Sequence, residues 1–183
     1  QSVWRAALLL TVAALFAWPA HATGLKRGPL VNLSDPDPLI GCPGGFPRGF
    51  DDVQLERNVA VNPSNPRNIV AVWSGGKVKG IVAGVTSDGG KNWQRIIFPG
   101  LNQCSGGPFT TALDPWVSFA PNGDVYVISL PSVTFDINAI AINKASDGGL
   151  HWSSPSVLDA NTDPRFKVEK PTVTADPADA RLV

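Results

Sequence analysis

One eight-residue phrase occurs twice in this chain. Thr86-Ser87-Asp88-Gly89-Gly90-Lys91-Asn92-Trp93 and Ala145-Ser146-Asp147-Gly148-Gly149-Leu150-His151-Trp152 align without a gap, their tryptophans 59 residues apart. A second element precedes each copy: ERNVAVNP, starting at Glu56, corresponds to DPWVSFAP, starting at Asp114, and a third copy, KPTVTADP, starts at Lys170. Val59, Val117 and Val173 hold the same place in these copies, at spacings of 58 and 56 residues. A period in the high fifties that contains several short strands describes a blade-like unit rather than the tighter coil of a solenoid.

The strands within a period are legible from β-branched and aromatic runs punctuated by Gly, Asn, Asp and Pro. Residues 59–61 form a first short strand that ends at the turn NPSNPRN. Residues 69–73 (IVAVW), 81–86 (IVAGVT) and 93–98 (WQRIIF) supply three more. The next period repeats the order with residues 116–119, 125–130 (VYVISL) and 137–144 (INAIAINK), then the second SDGG turn and Trp152. No amphipathic helix of ten residues follows residue 22. Four antiparallel strands per repeat around an axis make a β-propeller, so the expected fold is all-β, with about two blades and the opening of a third. Residues 23–51 are a loop-rich lead-in. The first blade is expected at about 56–100, the second at about 114–160 and the third from about 169.

The repeated turn has a physical rationale. The Asp carboxylate can accept hydrogen bonds from the N–H groups of its own turn. The two glycines can take positive φ at little steric cost. The tryptophan can fold its ring back over the hairpin.

Residues 6–17 (AALLLTVAALFA) are apolar, follow Arg5 and precede Ala20-His21-Ala22. Twelve apolar residues are too few to span a bilayer, and small residues at −3 and −1 fit a cleavage site, so residues 1–22 read as a secretory signal peptide; the alternative is a buried core helix. Export, to the medium or a periplasm, favours a bond between Cys42 and Cys104, the only two cysteines; the alternative is two free thiols. Fifteen basic and fifteen acidic residues leave no net charge, and so no electrostatic reason to expect nucleic acid or anionic lipid as a partner.

The pattern [S/T]-x-D-x-G-x-x-W resembles the Asp-box (BNR) repeat of sialidases and related secreted β-propellers. Thr86, Asp88, Gly90 and Trp93 match it in the first copy, and Asp147, Gly149 and Trp152 in the second, where Ala145 replaces Ser/Thr and His151 stands where Thr is common. The resemblance runs from about Asp52 to the end of the chain. It implies a ring of about six blades, of which this sequence encodes just over two. Two explanations stay open: a sequence shortened at its C-terminal side, or several copies joined through open blade edges.

The family's retaining sialidases clamp the substrate carboxylate with three arginines and use an Asp acid/base and a Tyr nucleophile activated by Glu. Planar guanidinium forks suit a carboxylate, and a neutral phenol avoids repulsion from it. The resemblance therefore implies a glycoside hydrolase acting on a sialoside or another glycan, without a cofactor or metal; a non-catalytic propeller that binds glycan or protein is the competing class. The first clamp arginine usually sits in a F/Y-R-I-P motif, whereas this chain has Phe46-Pro47-Arg48-Gly49, so Arg48 is either its equivalent or a loop arginine. Tyr126, the only tyrosine, alternates within a strand and reads as a packing residue.

Glu56, Asp114 and the Glu169-Lys170 pair lie just before the first strand of each period. First strands line a propeller's channel, so these residues either face a ligand or order the start of each blade. Asp51-Asp52 reads as a solvated turn. Trp73 and Trp116 remain as sugar-stacking candidates, because Trp93 and Trp152 belong to the repeated turn and are expected to be buried. With His151 the only histidine after residue 22, a Ser-His-Asp triad or a His-rich zinc site has no support. No phosphate-binding glycine motif is present, and Asp35-Pro36-Asp37 lacks the rest of a calcium loop.

Overall fold

The computed structural model describes residues 28–45, 55–134, 137–160, 162–163, 165–166 and 168–183. The leader segment 1–22, Arg48 and the Asp51-Asp52 pair lie outside these residues. Residues 32–183 form one compact unit, and it is this unit that carries the repeats.

The unit is all-β. Strands β1 (Leu55–Val61), β2 (Ile69–Gly75), β3 (Gly80–Thr86) and β4 (Gln94–Ile97) form one four-stranded sheet. Strands β5 (Thr111–Phe119), β6 (Val125–Thr134), β7 (Ile137–Ala145) and β8 (Ser156–Ala160) form the other. Each sheet is an antiparallel meander in chain order. Outside β4, the strands contain the apolar runs, but β1 and β5 begin earlier, at Leu55 and Thr111 rather than at 59 and 116, β6 continues to Thr134, and β8 corresponds to no run read in the sequence. Trp93 precedes β4 rather than opening it. Residues 168–176, the third copy of the first-strand phrase, form no ladder.

Alternation along the strands decides what packs on what. Val70 and Val72 of β2 and Ile81, Ala83 and Val85 of β3 point to one face, where they share a buried core with Val117, Phe119, Val125 and Val127 of the second sheet. Trp73 and Val82 point to the opposite face and are covered by Leu33 and Leu39 of the lead-in. Strand β3 is thus buried on both faces. Gly84 is the small residue that admits the lead-in: a Cβ there would stand 3.2 Å from Leu33 and 3.3 Å from the Trp73 ring. The lead-in is tied down further. Cys42 and Cys104 form a disulfide, the Gly76 N–H donates to Asp37 at 2.7 Å, and Arg95 donates to the Leu33 carbonyl at 2.7 Å.

The repeated turns fold as their sequence predicts. Asp88 Oδ1 accepts from the N–H groups of Lys91 (2.9 Å) and Asn92 (3.0 Å). Asp147 Oδ1 accepts from those of Leu150 and His151, both at 3.0 Å. The glycine pairs have φ of 79° and 89° in the first turn and 77° and 99° in the second. The N–H groups of the Asp88 turn and the Asn92 amide hold that carboxyl well below the usual carboxylate range.

The two turns differ in their surroundings. The Trp93 indole donates to the Gly90 carbonyl at 3.0 Å and stays half-buried, against the expectation of full burial. Trp152 is buried, with its ring 4.7 Å from that of Phe98 at the end of the first sheet. The second turn is therefore part of the seam between the sheets. Asn68 crosses this seam: its amide donates to the carbonyls of Thr86 (3.0 Å) and Gly148 (2.9 Å), one in each turn.

Candidate functional site

The first strand of each sheet carries a β-bulge. The β1–β2 register shifts between Leu55 and Asn58, and the β5–β6 register shifts between Leu113 and Trp116. Inside these bulges Glu56 has φ 56° and Asp114 has φ 50°. Lys170, the third period-related residue, has φ 47°. A left-handed backbone is uncommon for residues with a Cβ and costs about 1 kcal/mol or more each. Here it recurs at the same place in all three repeats.

The three side chains converge. Lys170 Nζ forms ion pairs with both Glu56 Oε1 and Asp114 Oδ1. Glu56 Oε2 accepts from the Asp114 N–H at 2.7 Å and from the Ser74 hydroxyl at 3.4 Å. The Asp114 side chain is buried, that of Glu56 is partly covered, and the Lys170 side chain reaches solvent. Burial and the hydrogen-bonded Glu56 carboxylate push Asp114 up to about 6, against the pull of Lys170. Burial also works against the Glu56 charge, but hydrogen bonds with Asp114 and Lys170 outweigh it and hold Glu56 below its ordinary value. Lys170 is pushed above its usual range by its bonds to Asp114 and Glu56.

The cluster floors an open groove of about 220 Å³, whose walls include Arg57, Asn58, Trp116 and Thr172. The three first-strand segments run side by side in the same direction. Glu56, Asp114 and Lys170 meet at one end; at the other, Ala60, Ser118 and Ala175 line a second groove. Side chains, not a backbone ladder, join them: Asn58 Oδ1 accepts from the Val117 N–H at 3.1 Å, and the Ser118 hydroxyl accepts from the Ala175 N–H at 3.0 Å.

Of the sequence candidates, the structure brings Glu56, Asp114 and Trp116 to one groove. Trp116 is 42% exposed there. Trp73 is withdrawn as a sugar-stacking residue, since it is only 4% exposed beneath the lead-in. Tyr126 lies at the far end of the β5–β6 pair from Asp114, with Lys144 Nζ 5.4 Å from its ring centre. Glu169 takes no part in the cluster; its neighbour Lys170 does. Among the described residues no group of three or more His, Cys, Asp or Glu side chains is arranged to hold a metal ion, and no helix is long and apolar enough to cross a membrane.

No family model matches this chain, and no curated protein matches it either. Among solved structures it is similar to the Hadza microbial sialidase Hz136, with 14% identity and a TM-score of 0.47 over 60% of this chain and 26% of that one. The chain thus spans about a quarter of that sialidase's length.

Proposed function

We propose that this chain is part of a secreted, sialidase-like β-propeller of the Asp-box kind. In this reading the two sheets are consecutive blades, residues 168–183 open a third, and the groove at the first-strand bulges faces a glycan in the central channel. One observation carries it. Three residues at one sequence period share one unusual backbone conformation and converge at one end of three co-directional segments, two of them strands. Repeats arranged around an axis place equivalent residues in this way. The twin carboxylates and the exposed face of Trp116 give the groove the polar and stacking groups that a sugar ring uses.

Hydrolysis of a sialoside is the activity this reading assigns to the complete ring. This stretch supplies carboxylates to the channel wall and leaves the arginine clamp and the nucleophile to other parts of the protein, so the chain on its own is expected to be inactive. Binding without catalysis is the second reading. It is favoured by Lys170, which occupies both carboxylates, and by the distance of Tyr126 from the groove.

The test is hydrolysis of a fluorogenic sialoside, with glycan-array binding in parallel, on this chain and on the longest product of its reading frame. Turnover by the longer product that is lost in Asp114→Asn supports the enzyme. Glycan retention without turnover, lost in Trp116→Ala, supports the binding module. Neither turnover nor retention would remove the glycan reading altogether.

A further inference from the structure

We propose that Val78, in the hairpin between β2 and β3, is a positioning residue for Asp114 in the groove. The hairpin follows an unusual path. Gly76, Lys77 and Val78 are left-handed in succession, at φ 61°, 66° and 56°. Glycine takes this conformation freely, whereas a β-branched residue in it is an outlier. Val78 is also completely buried. Such a backbone persists where its surroundings over-determine it. Here three neighbours hold it. The Gly76 N–H donates to Asp37 of the lead-in at 2.7 Å. The Asn102 amide donates to the Lys79 carbonyl at 3.1 Å. The Ala112 N–H donates to the Val78 carbonyl at 3.3 Å.

The last of these bonds joins the two sheets, and it falls just ahead of the bulge that holds Asp114. Ala112 is the second residue of β5, and the β5–β6 register shifts after Leu113. The partner of Ala112 on β6 is Pro131, which has no N–H to give to the ladder. The stretch that leads into the bulge is thus held by the first sheet, through the Val78 carbonyl, where its own sheet holds it least. Asp114 is met from the first sheet as well, since its N–H donates to Glu56 Oε2 at 2.7 Å. Val78 sets the height at which β5 enters the bulge, and that height brings the Asp114 carboxyl to its charged neighbours, Glu56 and Lys170, with Arg57 in the groove wall. Relaxation of residue 78 to an ordinary φ withdraws its carbonyl from Ala112. The Asp114 side chain, only 5% exposed, then moves toward water.

The experiment is a carboxyl-carbon NMR titration of Asp114 in the full chain, its resonance assigned with Asp114→Asn, together with hydrogen exchange at the Ala112 N–H. Alanine and glycine at position 78 separate positioning from packing. Alanine keeps the Cβ that disfavours a left-handed backbone and loses the methyls that lock it, so Val78→Ala should relax. Its Ala112 N–H should exchange about tenfold faster relative to the other β5 amides. Its Asp114 should titrate about one pH unit or more below the parent, because exposure favours the charged form. Glycine removes more side chain yet accepts the left-handed path. Val78→Gly should therefore keep the parent's relative exchange and its Asp114 midpoint, and should unfold at higher urea than Val78→Ala, the reverse of the order that lost burial alone gives. Val70→Ala empties an equally buried site at the far end of β2 and should leave the Asp114 midpoint unmoved. An unmoved midpoint in folded Val78→Ala, loss of Ala112 protection in Val78→Gly, or an equal shift in Val70→Ala would each overturn the proposal. The glycine variant keeps the test open even where the alanine variant does not fold. The groove is the one assigned to a glycan above, but the readout is a titration without ligand, so it stands or falls separately from the glycan reading.

Discussion

Gly90 and Gly149 occupy the same place in the two acidic turns, and replacing each with alanine separates the turn from its surroundings. Both residues have left-handed backbones, at φ 89° and 99°. Both substitutions therefore cost roughly 1–2 kcal/mol in backbone strain. A Cβ on Gly90 meets only the Trp93 ring, at 3.7 Å, an ordinary contact. A Cβ on Gly149 meets Val70 Cγ2 at 2.9 Å and Val85 Cγ2 at 3.4 Å. Both valines are buried and β-branched, so neither swings aside freely. Overpacking of this kind adds about 1–3 kcal/mol. Gly149→Ala should therefore lose about 2–5 kcal/mol, exceeding Gly90→Ala by the overpacking alone. In urea, with a slope of about 2 kcal/mol per M, the two midpoints should differ by roughly 0.5–1.5 M with the slope unchanged. Equal midpoints would refute the account of the second turn as a wedge in the seam between sheets.

The remaining predictions concern the lead-in and the charged cluster. The Cys42–Cys104 bond closes a loop across a separation of 62 residues, so the double Cys→Ser variant should lose roughly 4 kcal/mol on chain-entropy grounds, read as a fall in urea midpoint matched by reducing the parent. Asp114 has a folded pKa of about 6 against an ordinary 3.8, so its contribution to stability is complete below about pH 3.8 and is lost as pH rises through 6. Glu56, held below its ordinary 4.5, acts in the opposite sense on the acid side, which leaves pH 4.5–6.5 as the window for Asp114. Urea midpoints across that window should decline for the parent relative to Asp114→Asn, and parallel profiles would show that Asp114 is not the titrating group.

How much of this was legible depends on the range of the interaction. The strands and both acidic turns are local: alternation, glycine pairs and short Asp-to-N–H bonds are written within ten residues. The recurrence of Glu56, Asp114 and Lys170 before each first strand was visible too, but only as a position. That the backbone turns left-handed there, and that one ammonium joins both carboxylates, depends on segments 56 and 58 residues apart lying side by side. Trp73 shows the opposite failure. Its strand gives no sign of which face is covered, and the cover comes from Leu33 and Leu39, in a lead-in with no periodicity of its own. Trp93 and Trp152 look alike in sequence and differ in burial because only the second has a sheet in front of it.

The left-handed positions at the start of the three repeats hold a glutamate, an aspartate and a lysine, at φ 56°, 50° and 47°. Chain path and chemical character are therefore set independently at these positions. Glu56 and Asp114 each sit in a socket in front of a hairpin whose register resumes at Asn58 and Trp116. A charge reversal in one repeat would alter what the mouth of the groove attracts without rebuilding the wall, so related chains can diverge in ligand preference one repeat at a time.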